Sequence, residues 1–196
     1  MQMDRGRWVR MSVILGALLG LSAPQPAPAE AADAAAGRAK ASGCAVCHGA
    51  EGVSPKATVP SLGGQQPGYF AAELRKYKSG ARKDAAMALA VAKLGDNDFE
   101  NLAAYYAGLK PMTAAGNAAR AVKGQEKYAP CAACHGPDGA GKPQFPRLAG
   151  QQAAYLVDQL QEYKLGKRPF PAMNAVAAGL TADDIQALAA YLAGLK

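Results

Sequence analysis

Cys44-Ala45-Val46-Cys47-His48 recurs 87 positions later as Cys131-Ala132-Ala133-Cys134-His135. These two runs hold all four cysteines and both histidines of the chain. Cys-x-x-Cys-His is the attachment sequence of a c-type haem. The spacing has a physical basis. On one helical turn, residues three and four apart face the same side. Two thiols three residues apart can each form a thioether to a vinyl group of one porphyrin. The adjacent histidine then offers a ring nitrogen to the iron. The motifs imply two haem c groups, one held by Cys44 and Cys47 and one by Cys131 and Cys134, with His48 and His135 as iron ligands. Zinc fits less well, because a tetrahedral site needs four ligands and each motif supplies three. Dithiol redox chemistry belongs in a βαβ context, and no stretch of this sequence alternates like a strand.

Outward from the motifs, the chain repeats itself. VPSLGGQQPGYFAAELRKYKSGAR (59–82) aligns with FPRLAGQQAAYLVDQLQEYKLGKR (145–168), so that Pro60, Leu62, Gln65, Gln66, Tyr69, Leu74, Tyr77, Lys78, Gly80 and Arg82 recur 86 positions later. LAAYYAGLK (102–110) recurs as LAAYLAGLK (188–196). The offset falls from 87 to 86 between each histidine and the following proline, so the second copy is one residue shorter there. Residues 30–110 read as the first domain, 111–116 (PMTAAG) as a linker, and 117–196 as the second domain.

Each copy reads as helical. Asp33–Ser42 and Asn117–Tyr128 are alanine-rich runs with cap residues at Asp33 and Asn117. Tyr69–Lys78 and Tyr155–Lys164 place Tyr, Leu and Tyr at helical spacing and end near a glycine. A last helix starts at Thr181-x-x-Asp184, a capping-box pattern with Asp in place of Glu. The Gly- and Pro-rich stretches between each histidine and Tyr69 or Tyr155 read as loops. The fold class is all-α, as two tandem domains each wrapped around a covalently bound haem. Aromatics are 7% of the residues and much of the apolar content is alanine, so the cofactors are expected to complete thin cores.

Histidine is exhausted by the two motifs, so any sixth iron ligand must come from elsewhere. Met87 lies 40 residues after Cys47 and Met173 lies 39 after Cys134, and each precedes a leucine by seven positions. Met112 falls in the linker without a partner. Met87 and Met173 read either as soft core fillers or as axial ligands, and their matched placement favours ligation. His/Met ligation raises the potential and closes the iron to substrates, which suits an electron carrier rather than an enzyme. Pro60 and Pro146 follow the histidines by 12 and 11 residues. A carbonyl there either fixes the histidine ring or belongs to a plain turn. Lys78, Arg82, Lys164 and Arg168 read as partners for haem propionates or as solvated helix-end cations. Tyr69, Tyr77, Tyr155 and Tyr163 are expected to pack the haem edges.

Residues 1–29 have the order of a secretory signal peptide: a basic start, the apolar run Met11–Ser22, and a small, proline-rich end. The apolar run is about 12 residues against the roughly 20 needed to span a bilayer. Cleavage fits after Ala29 or Ala31, and the protein is then exported. The formal charge of +7 is spread along the chain: residues 30–110 hold ten Lys/Arg against eight Asp/Glu, and 111–196 hold nine against six. No basic run marks a nucleic-acid face.

With two CxxCH units, two matched methionines and the stretches CAVCHGAEG, PSLGGQQPGYFAAELRKYKSGAR, CAACHGPDG and PRLAGQQAAYLVDQLQEYKLGKRPFPAMNAVAAGLTADDIQALAAYLAGL, the chain resembles the dihaem cytochrome c4 family. The resemblance covers nearly all of it beyond the leader. It implies two cytochrome c-like domains about a pseudo-twofold, axial pairs His48/Met87 and His135/Met173, and single-electron transfer in the periplasm toward a terminal oxidase. The implied partners are redox proteins: a quinol–cytochrome c reductase, a terminal oxidase or a flavoprotein dehydrogenase, at or near the membrane surface. The alternative is a dihaem electron-accepting subunit of a periplasmic dehydrogenase, such as a flavocytochrome sulfide dehydrogenase. The charges of the two domains are alike, which departs from a strongly dipolar molecule.

Overall fold

The computed structural model describes residues 31–111, 113–114 and 116–196. The expected leader and Met112 lie outside them. Eight helices are found among the described residues, and no strand: α1 (Ala34–His48), α2 (Pro67–Ser79), α3 (Ala85–Val91), α4 (Asp96–Ala107), α5 (Ala118–His135), α6 (Ala153–Lys164), α7 (Pro171–Ala178) and α8 (Ala182–Gly194). The first half is α1–α4 and the second is α5–α8. No helix among them is long and apolar enough to cross a membrane.

The caps act where the sequence placed them. Asp33 accepts the Ala35 and Ala36 N–H groups, at 2.7 and 3.3 Å. Asn117 accepts from Arg120 N–H. Thr181 and Asp184 form a full capping box. Each satisfies donors that the first helical turn leaves open. Both haem-motif helices run further than composition suggests. α1 continues through Gly43 and α5 through Pro130, and both end at the motif histidine. α3 and α7 are additional, and Met87 and Met173 sit on these two short helices.

α1 packs on α4, and α5 on α8, more extensively than any other helix pair. The crossings are very close. A Cβ at Gly37 would lie 2.0 Å from the Asn101 carbonyl oxygen, and one at Gly124 would lie 2.1 Å from that of Ala187. Only glycine permits backbones to approach this far. Behind the first crossing lies a core of Ala41, Phe70, Ala71, Leu74, Val91, Phe99, Leu102, Ala103 and Tyr106. Behind the second lie Tyr128, Leu156, Leu188, Ala189 and Leu192.

Candidate haem-binding sites and the interface between them

Each cysteine pair occupies the last turn of its helix, so both thiols and the terminal histidine are delivered by one rigid element. All four cysteines are free of disulfides. Cys44 and Cys131 are half-buried, which pushes their thiols up from the ordinary value, while Cys47 and Cys134 are exposed. His48 and His135 are buried. His48 Nδ1 donates to the Pro60 carbonyl at 2.8 Å, and His135 Nδ1 donates to that of Pro146 at 3.0 Å. Of the two readings of these prolines, the carbonyl that fixes the ring is the one present. With Nδ1 carrying the proton, Nε2 keeps the lone pair for a metal. Burial lowers both imidazole pKa values, and outweighs the carbonyls that raise them. Each ring is thus held neutral, the form that ligates.

The donor set fits haem. Each motif offers two unbridged thiols and one neutral, oriented imidazole. Arg147 Nε is buried without a hydrogen-bond partner, and a propionate is the kind of anion that would satisfy it. Among the described residues no group of three His, Cys, Asp or Glu side chains is arranged to hold a metal ion by itself.

Met87 is half-buried and packs on the first core together with Cys44. Met173 is half-buried on α7, which packs on α6, but it is not among the residues packed on the second core. The two short helices are braced alike. Lys78 Nζ donates to the Leu94 carbonyl and Lys164 Nζ to that of Leu180, tying the end of each preceding helix to the segment after the methionine. They start differently. Asp84 caps α3 through the Met87 N–H at 2.9 Å. α7 begins with Pro171, and Asn174 accepts the Phe170 N–H at 2.7 Å.

The repeated arginines require a correction. Arg82 and Arg168 are 7% and 6% exposed, so neither is a solvated helix-end cation. In this structure they meet each other's halves. Arg82 bonds Glu73, and across the boundary Tyr155 and Gln159. Arg168 bonds Gln159, and across the boundary Tyr69 and Glu73. Arg82 also lies over Tyr77 and Arg168 over Tyr163, both at 4.6 Å from the ring centroid. The tyrosines thus serve the interface: Tyr69 and Tyr155 with their hydroxyls, Tyr77 and Tyr163 with their faces. Tyr77 packs on the first core as well. The network is a twofold figure with one unlike pair, because Glu73 stands where the repeat has Gln159. Burial alone would push the Glu73 carboxyl up, but Arg168, Arg82 and then Lys76 outweigh it and hold the pKa below its ordinary value.

A second set of cross-boundary bonds was not anticipated from the sequence. Gln65 and Gln66 reach Arg147 and Ala140, while Gln151 and Gln152 reach Ser61 and Ser54. The signal was available, since the same Gln-Gln pair precedes the second helix of each repeat.

Comparison with known proteins agrees with this geometry. Cytochrome c4 of Pseudomonas aeruginosa is 37% identical over 180 residues, covering 84% of this chain and 90% of that protein. The chain belongs to the cytochrome c4 family. The crystal structure of reduced recombinant cytochrome c4 from Pseudomonas stutzeri superposes with a TM-score of 0.81 at 34% identity, over 85% of this chain and all of that one. The cytochrome c family model matches residues 121–196. A thiosulfate dehydrogenase electron acceptor from Thiomonas intermedia is 38% identical over 176 residues, 81% of each chain. As a cytochrome c4 relative the chain is a dihaem electron-transfer protein, a carrier rather than an enzyme. Its two haem c groups are attached at Cys44/Cys47 and Cys131/Cys134.

Proposed function

We propose that the protein is a periplasmic shuttle that passes single electrons between respiratory components toward a terminal oxidase. His48 and Met87 of domain 30–110 would ligate one haem iron, and His135 and Met173 of domain 117–196 the other. The observation that carries this reading is that both halves commit histidine Nδ1 to a proline carbonyl, at 2.8 and 3.0 Å, and repeat one methionine on a lysine-braced short helix. Bound haem supplies one-electron iron chemistry. The carbonyl keeps each imidazole from rotating and raises its basicity. Met87 and Met173 would complete the ligand sets of the two irons, which would leave no open site for substrate. Residues 1–29 direct export and are removed.

A redox titration with spectral ligand assignment tests this. Two methionine–iron charge-transfer bands are expected, with Met87→Leu abolishing one and Met173→Leu the other. A haem that lacks the band in the unsubstituted protein overturns the assignment for that half.

A second reading has its own support. The similarity to a protein described as a thiosulfate dehydrogenase electron acceptor favours service to a periplasmic dehydrogenase. Size-exclusion of the native protein separates the two, since stable co-elution with a dehydrogenase sinks the free shuttle.

A further inference from the structure

Gln151 closes two hydrogen bonds on a single residue of the first half. Its Oε1 accepts the Ser61 N–H at 2.8 Å and its Nε2 donates to the Ser61 carbonyl at 2.9 Å. Gln65 does the same to Arg147 in the second half, at 2.7 and 3.1 Å. The gripped amide is no ordinary one. The Ser61 N–H and the Pro60 carbonyl belong to one peptide unit, and that carbonyl is the acceptor for His48. The Arg147 N–H and the Pro146 carbonyl likewise form one unit, and that carbonyl is the acceptor for His135. Two continuous chains result: His48 to the 60–61 amide to Gln151, and His135 to the 146–147 amide to Gln65.

An amide whose N–H is engaged by a good acceptor is polarised, and its oxygen accepts more strongly. A stronger acceptor opposite Nδ1 gives the imidazole more anionic character and makes it a better donor to the metal. Hydrogen bonding of this kind is one of the levers by which a protein sets a haem potential. The first chain is shielded from competing water, with Gln151 and Ser61 7% and 6% exposed, and in the second Gln65 is 9% exposed while Arg147 is half-buried. Each Oε1 also accepts the N–H of the next residue, Gln66 at 2.9 Å or Gln152 at 3.1 Å, so neither side chain is free to swing away.

We propose that the tuning is crossed: Gln151 sets the potential of the haem attached at Cys44/Cys47, and Gln65 sets that of the haem attached at Cys131/Cys134. Both are positioning residues that act through the other half's histidine. The inference rests on the histidine ligation proposed above.

The test uses the full-length, haem-loaded protein with Gln151→Met and, separately, Gln65→Met. Redox titration is followed by proton NMR, with the methionine methyl signals of the two haems assigned through Met87→Leu and Met173→Leu. Gln151→Met should raise the potential of the first haem and leave the second unmoved, and Gln65→Met should do the reverse. Gln151→Glu, which keeps an acceptor opposite the Ser61 N–H, should not raise the first potential. The His48 ring N–H signal should move toward weaker hydrogen bonding only in the Met variant. A shift in the haem of the substituted half, equal shifts in both haems, or none, overturns the inference. The ligand assignment is judged separately, by the hyperfine-shifted axial histidine signals of the unsubstituted ferric protein. If those are present while the crossed shifts are absent, only the role of the glutamines falls.

Discussion

The first half buries Phe70, Phe99 and Tyr106 where the second has Leu156, Ile185 and Leu192. The first has Ala41 on its motif helix where the second has Tyr128. A tyrosine has in effect moved from one side of the helix crossing to the other. The exchange keeps large against small at the contact, which is the kind of change a close-packed core tolerates. What does not change is the frame around each motif: the glycine at the crossing, the proline carbonyl on the histidine, and the lysine brace. The halves therefore differ in how volume is supplied and agree in how the motif helix and its histidine are held.

The largest test of that likeness is the crossing itself. Gly37→Ala and Gly124→Ala each drive a methyl into a carbonyl about 2 Å away, and each is expected to cost about 3 kcal/mol in denaturant unfolding, at the upper end for overpacking. Equal losses support a shared framework, and a tolerated substitution in one half breaks it.

The next test probes the one unlike pair at the boundary. Glu73→Gln leaves Arg82 and Arg168 buried without a carboxylate, and should also destabilise by about 3 kcal/mol. Gln159→Glu supplies a second carboxylate and should cost far less. The pH dependence sharpens this. The folded-state pKa of Glu73 lies below its ordinary value. Its contribution is then whole above about pH 4.3 and drains away as the pH falls through the lowered folded value. Acid unfolding of Glu73→Gln should be flatter across that window.

A smaller effect isolates the relocated tyrosine. Tyr128 donates to the Gly136 carbonyl at 2.6 Å, a bond Ala41 cannot make. Tyr128→Phe should lose about 1 kcal/mol, measured as a shift in thermal unfolding with the haem spectrum unchanged. Smallest is Arg75→Ala. Arg75 pairs with Asp96 and Glu100 at 2.7 Å on the surface, where the repeat has Gln161, and the loss should stay within about 0.5 kcal/mol.

The haem motifs, the repeat and the capped helices could all be read from residues, because each rests on local chemistry: a thiol spacing, a recurring string, an Asp or Thr ahead of an alanine run. The motif helices run past their alanine-rich starts, because tertiary packing carries them through Gly43 and Pro130, which look like breakers in the sequence alone. α3 and α7 leave little trace in the sequence, because alanine-rich runs of seven and eight residues are too short to display an apolar face. The interface was the least legible part. Arg82 and Arg168 look like ordinary helix-end cations within one repeat, and their burial arises only when the other repeat brings a tyrosine and a carboxylate or amide. The same holds for Gln65 and Gln151, whose targets lie 82 and 90 residues away.

The Glu73/Gln159 pair also has a consequence for inheritance. Tandem repeats in a gene are prone to being overwritten by one another. Copying the second repeat's codon onto position 73 leaves two buried guanidiniums facing two amides. Copying the first repeat's codon onto position 159 leaves two guanidiniums facing two carboxylates. Only the second event leaves the guanidiniums with carboxylate partners, so homogenisation of this gene should be tolerated at that codon in one direction alone.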